Sequence, residues 1–375
     1  MGTIAVYKKV FEMLGHEVIV PPRPSQRTID LGVKHSPEFV CFPFKVIIGS
    51  YIEAVELGAD TVITSGGNGP CRAGYYGEIH RRILKSIGYD ADVIIFDSMF
   101  KDFKDFYRKI IKIKASTSIA SALNILKINY HMICKMDELE KRTKILRAYE
   151  KIPGEVSRVW KQINESFDKS YTEVEIKRVA KECSEMLESV SQRLFTDQDR
   201  IRIGIVGEIY VTMEPSINMD VEERLGNMGI EVENSQYISN WVQHNARPKW
   251  AGKSYAQKLM DKGAAFIAKG LGGHEQENIG CMVDYAERGF DGIIHLMPFG
   301  CLPELVTQST IPLISKKYDI PILTLSIDEQ TGRSNSLTRM EAFVDLVKNR
   351  KKRKQYSNTL LMSDSKTTPI SMKTS

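Results

Sequence analysis

No run of eighteen apolar residues occurs in the 375-residue chain, so no bilayer-crossing helix and no membrane partner are expected. The opening MGTIAVYKK lacks a basic stretch followed by an apolar one, so no secretory leader is expected, and a cytoplasmic location is. Cysteine is scarce: six residues, irregularly spaced, with no C-x-x-C pair. That excludes a zinc ribbon and a ferredoxin-type run and argues against a disulfide scaffold; reduced thiols or metal ligands fit better. Phosphate-binding signatures are also missing. The loop Gly66-Gly67-Asn68-Gly69 is not followed by Gly-Lys-Ser/Thr, and Gly204-Ile-Val-Gly207 is too short for G-x-G-x-x-G.

Positive charge is scarce outside one place. The net charge is +5, yet residues 348–354 (KNRKKRK) hold six positive charges and residues 355–375 a further net +1, leaving −2 on 1–347. A near-neutral body does not suit nucleic acid, and no nucleic-acid partner is expected. The basic segment is expected to be a solvated, disordered tail, 348–375, with a weak contact to an acidic partner as the alternative.

What is present is ordinary for a soluble globular protein: 42% hydrophobic and 26% charged residues, in a length that suits two or three domains. Residues 1–110 alternate strand candidates (16–22, 59–67, 90–97) with helical patterns (3–14, 42–57, 75–87). That alternation predicts βαβ units and a parallel sheet. Helix precedes the first strand candidate, so the expectation is either a sheet that starts with a helix or one whose first strand is missing. Residues 111–198 read as amphipathic helices. Residues 199–347 alternate again, with strands near 201–208, 229–236, 291–298 and 320–328 and helices near 219–227, 253–268, 276–288, 303–317 and 336–348. The expected fold class is therefore α/β: two Rossmann- or flavodoxin-like parallel-sheet domains with a helical insert between them.

Three cysteines share one context. Cys41 (PEFVCFPFK), Cys71 (SGGNGPCRAGYY) and Cys301 (HLMPFGCLPE) each have a proline within two residues and each precede a helix, the last two directly after a strand. Ligands of parallel α/β sheets bind at the carboxyl ends of strands. A thiol at a helix start faces the positive end of the helix dipole, which lowers its pKa and favours the metal-binding thiolate. Three such thiolates would suit one soft metal centre. Each cysteine taken alone is equally a small buried hydrophobe, and that is the reading for Cys134, Cys183 and Cys281, which fall inside helical patterns.

Other polar clusters are weighed the same way. Gly272-Gly273-His274-Glu275-Gln276-Glu277-Asn278 is as readily a capped helix start as an acid–base or metal patch. Glu208 and the Met213–Asn218 stretch fall in the crevice of the second sheet. Asp328–Gly332 suits a turn, and His295, inside a strand, suits a satisfied core histidine.

The segments PEFVCFPFK, GADTVITSGGNGPCRAGYYGEIHRR, GIVGEIYVTMEPSINM and GFDGIIHLMPFGCLPELVTQSTIP resemble the 2-hydroxyacyl-CoA dehydratase component family, in particular its acyl-CoA dehydratase activase-related branch, over about residues 5–347. The resemblance implies two Rossmann- or flavodoxin-like domains and a [4Fe–4S] cluster held by three cysteines, which fall here on Cys41, Cys71 and Cys301. It implies an ATP-dependent activator iron–sulfur protein that injects one electron, an acyl-CoA substrate whose thioester becomes a ketyl radical and loses water, a homologous second subunit or a homodimer, and an anaerobic setting. Under it, Gly67, Gly69 and Gly300 give the cluster room, and Arg72 and Lys45 offset its negative charge. The chain's own ATP-binding motifs are absent, so no ATPase activity is expected. Two further readings stay open: a non-catalytic scaffold or regulatory partner of such a system, and a zinc site of the same cysteines with His274 or His295.

Overall fold

The computed structural model describes residues 4–65, 71–96, 102–196, 199–247, 250, 252–330 and 333–364. The chain enters through α1 (Ile4–Met13), then pairs α2 (Gln26–His35) with α3 (Phe42–Glu56). A first strand β1 (Thr61–Ser65) is followed by α4 (Tyr76–Ser86) and β2 (Asp92–Phe96). Four helices come next: α5 (Phe103–Ile113), α6 (Ile119–Leu146), α7 (Glu155–Asp168) and α8 (Glu173–Glu188). Then follow β3 (Arg202–Gly207), α9 (Ile209–Met213), α10 (Val221–Asn227), β4 (Glu231–Asn234), α11 (Ile238–Ala246) and α12 (Tyr255–Gly263). The last elements are α13 (Glu275–Glu287), β5 (Gly292–Pro298), α14 (Leu302–Tyr318), β6 (Ile322–Ile327) and α15 (Arg333–Asp364).

The strands form two parallel sheets among the described residues. β1 and β2 pair in register Val62 with Val93, and a four-stranded sheet runs in the order β4-β3-β5-β6. β5 is central, and all seven residues of GIIHLMP are buried, as a strand covered by helices on both faces requires. The chain leaves β3 towards β4 on one side and returns to β5 on the other. The gap between the carboxyl ends of β3 and β5 is therefore a topological switch point, where open α/β sheets place their ligands.

Helix pairs carry the loops that matter. α2 and α3 cross at backbone contact: a Cβ on Gly32 would lie 1.9 Å from the Lys45 carbonyl oxygen, and one on Gly49 would lie 2.0 Å from that of Thr28. Gly263 and Gly280 let α12 and α13 cross the same way. α1 packs among the helices, and its buried Lys9 donates to the carbonyls of Phe167 (2.9 Å) and Ser170 (2.7 Å) at the end of α7. Val6, Met132, Met136, Ile163, Phe167 and Leu187 fill the core there.

Three expectations change. Residues 16–22, expected as a strand, form none, because Pro21, Pro22 and Pro24 follow the apolar run and cannot donate to a ladder. α2 lies where the sequence offered no clear helical pattern; Gly32 weakens the pattern and is there for the crossing with α3. The basic run 348–354, expected to be disordered, continues α15 to Asp364. Lys, Arg, Gln and Leu favour helix, no Gly or Pro interrupts, and extending a helix needs no new nucleus. α15 belongs to a second unit beginning at residue 331. No helix among the described residues is long and apolar enough to cross a membrane.

Candidate metal centre at the switch point

Each member of the cysteine trio caps a helical segment. Cys41 is the N-cap of α3, with Pro43 in the first turn, and Cys301 is the N-cap of α14, with Pro303 in the first turn. Cys71 precedes a single 3-10 turn, Arg72–Tyr75, that runs into α4. Proline suits these first turns because its missing N–H would have had no partner there. Gly300 takes a left-handed φ of +74° between β5 and Cys301, and a Cβ there would lie 3.7 Å from the Cα of Cys41. The loop after β5 and the start of α3 thus touch, and Cys41 and Cys301 share one buried cluster with Phe44, Ile48 and Leu84.

Cys71 is half-buried beside them. Arg72 donates to the Phe39 carbonyl at 2.5 Å, which ties the Cys71 turn to the segment leading into Cys41. Electrostatically, Cys71 acts on Cys41, Cys41 acts on Cys301, and Glu208 bears on all three sulfurs. Gly67 and Gly69 lie outside the described residues. All six cysteines are free thiols.

The helix-dipole argument for low thiol pKa values does not hold in the folded chain. All three thiols are pushed above the usual value, foremost by burial, with the Glu208 carboxylate adding at each and Glu304 at Cys71 and Cys301. The Phe44, Ala73 and Glu304 amides pull the other way without prevailing. Desolvation of a thiolate outweighs the fractional charge of a helix end. These sulfurs are protonated on their own and would ionise only with a cation to bind.

Around the sulfurs lies a polar network that sequence reasoning found only in part. Glu208 follows β3, accepts from the Val211 amide at 3.0 Å, and is pushed up by burial, with Glu304 adding to the effect. Glu304, three residues after Cys301, is buried and bonds the His295 Nε2 at 2.8 Å and the Asn278 Nδ2 at 2.9 Å. Asn278 also donates to the Gly207 carbonyl at 3.1 Å, joining α13 to the end of β3. His295 is fully buried and also meets Thr324 Oγ1 at 3.3 Å, so it is the satisfied core histidine expected. Glu275 accepts from the loop amides of Gly272 (3.2 Å) and Gly273 (3.1 Å), the work of a helix start. His274 sits 3.1 Å from Glu277; burial lowers its basicity, but Glu277, Glu208 and Glu304 together raise its pKa above the usual value.

The two cations named from the sequence are otherwise engaged. Lys45 is buried in an ion pair with Glu329, and the Arg72 guanidinium turns to Phe39. Tyr76, passed over in the sequence, bonds the Cys41 sulfur through its hydroxyl; its only signal was its place one turn beyond Cys71. Cys183 and Cys281 lie in helix cores, and Cys134 is half-buried on α6. A cavity of about 490 Å³ beside β4 includes none of the three cysteines and is lined by closed pairs, Arg200 with Glu231 and Arg288 with Glu233.

Among the described residues, no three His, Cys, Asp or Glu side chains converge on a single-ion position. No such group includes His274 or His295; His274 Nδ1 meets Glu277 and His295 Nε2 meets Glu304. In a cubane each cysteine binds a different iron, so its sulfurs stand apart around the cluster instead of meeting at one point.

The family model for the 2-hydroxyglutaryl-CoA dehydratase D-component matches residues 8–347. The chain belongs to that family. No curated protein matches it. As a member of the dehydratase D-component family it is a component of a dehydratase-type system, and the matched stretch spans both sheets and the helices between them.

Proposed function

We propose that this D-component family member carries a [4Fe–4S] cluster on Cys41, Cys71 and Cys301 within a 2-hydroxyacyl-CoA dehydratase-like or low-potential reductase system. Its electrons would come from an ATP-dependent activator iron–sulfur protein, and a homologous second subunit or a second copy would complete the assembly. The observation that supports this reading is that Cys41 and Cys301, from distant parts of the chain, both cap helices and share one buried cluster, with the Cys71 turn tied to Phe39 by Arg72.

The donor set fits such a group. Three thiols, two of them buried, are soft ligands, and no disulfide occupies them. Bound there, the cluster would supply one-electron chemistry at low potential. The chain's own contribution is to desolvate the sulfurs, to fix them through the first turns of α3 and α14, and to hold protons nearby. The His274 imidazole and the Glu208 carboxyl, both with pKa values above their usual ranges, are the groups able to hold a proton at the crevice for a departing hydroxyl.

Anaerobic reconstitution with iron and sulfide tests this. About four irons and four sulfides per chain are expected, following the stoichiometry of the cubane. A chain that takes up no iron, or binds stoichiometric zinc instead, defeats the proposal. Dehydration of an acyl-CoA on addition of an activator separates a catalytic component from a scaffold.

A further inference from the structure

Among the sulfurs of the trio, that of Cys41 has a side-chain hydroxyl as its hydrogen-bond partner: the phenol of Tyr76. The contact is built from both sides. Tyr76 opens α4, and the chain reaches it from Cys71 through one 3-10 turn. Its ring is held edge-on by Phe44, with centroids 5.1 Å apart at 86°, and packs at a tilt of 52° against His80, 5.6 Å apart. Phe44 stands one turn beyond Cys41 on α3, so the helix that carries the sulfur also carries the ring that aims the phenol at it. His80 is fully buried, and its Nε2 lies 3.2 Å from the Phe44 carbonyl, which locks the clamp from behind.

The direction of the bond follows from chemistry. A sulfur bound to a metal carries no proton, so the phenol is the donor. A hydrogen bond to a ligand sulfur withdraws negative charge and stabilises the reduced, more anionic state.

We propose that Tyr76 is a positioning residue for the centre: its hydroxyl fixes the Cys41 sulfur and raises the reduction potential of the group that sulfur helps to hold. This rests on the cluster reading above, and the test separates the two. The full chain is reconstituted anaerobically as wild type and as Tyr76→Phe, which keeps the ring between Phe44 and His80. Iron content is measured, then the midpoint potential, then the exchangeable-proton coupling of the reduced state after transfer to heavy water.

Equal iron with a potential displaced downwards and the exchangeable proton lost is the expected result. Equal iron with unchanged potential and coupling overturns the role of Tyr76 and leaves the cluster reading standing. No iron in the wild type overturns both. A fluorinated tyrosine placed at position 76 keeps the hydroxyl and makes it a stronger donor. Its potential should move above that of the wild type, and an unmoved potential also refutes the proposal, even if Tyr76→Phe alone fails to load.

Discussion

The ammonium of Lys45 meets the carboxylate of Glu329 at 2.5 Å, joining positions 284 residues apart. The pair fastens the first turn of α3, one turn past Cys41, to the segment after β6. Lys45 is 8% exposed and Glu329 is 23% exposed, so the cation is the more desolvated partner. Glu329→Gln should therefore cost more than Lys45→Met. The first leaves a buried charge unmatched, at about 3 kcal/mol; the second leaves a carboxylate that water reaches, at about 1–2 kcal/mol. Urea unfolding of both single variants and the double variant checks this, and a double variant as unstable as both combined shows no coupling.

Gly49 and Gly300 should respond to alanine for different reasons. At Gly49 the added carbon meets the Thr28 carbonyl oxygen at 2.0 Å, backbone against backbone, so α2 and α3 must separate. We expect a loss of about 3 kcal/mol or more and weaker iron retention. At Gly300 the nearest atom is 3.7 Å away, and only the left-handed φ of +74° is costly, at about 1 kcal/mol. Gly300→Asn should cost less than Gly300→Ala, because asparagine tolerates that backbone region better. Equal losses at the two glycines would contradict the crossing geometry.

His80 predicts an acid-sensitive core. Burial lowers its pKa from 6.5 to about 4, with the Phe44 carbonyl opposing. The folded state holds the neutral ring, while the unfolded chain takes up a proton below pH 6.5. The stabilisation is thus complete above about pH 6.5 and is lost as pH falls through about 4, up to about 3 kcal/mol in all. Stability curves of wild type and His80→Phe between pH 4 and 7.5 should converge as pH falls. Parallel curves would show that His80 does not titrate differently on folding.

The cysteines should divide sharply. Serine at Cys41, Cys71 or Cys301 should abolish or strongly reduce iron uptake with a modest change in stability. Serine at Cys183 should leave iron uptake intact and destabilise the helical core, where its thiol is pushed up to about 11 by burial. Iron assays and thermal unfolding on the same preparations decide this. Full iron in Cys71→Ser would remove that residue from the centre.

The helix starts at the cysteines were legible in the sequence. Proline within two residues of a cysteine marks a helix start, and the structure puts Cys41 and Cys301 at N-caps with proline in the first turn. The strands at 61–65, 92–96, 202–207, 231–234, 292–298 and 322–327 all lie within apolar runs readable from the sequence. The apolar run at 16–22 misled because a period says nothing about whether a partner strand is available. The ionisation of the thiols also misled: a helix end is a local feature, but burial is collective, and burial won.

Local order in this protein, meaning which segments coil, which extend and which cysteines start helices, was written in residue type and spacing, because caps, prolines and apolar periods act over a few residues. The tertiary structure alone decided that Cys41 and Cys301 adjoin through Gly300, that Tyr76 faces a sulfur, and that Lys45 answers Glu329 instead of the centre. Those relationships join positions tens to hundreds of residues apart, and only packing, which weighs burial against charge over the whole fold, can choose them.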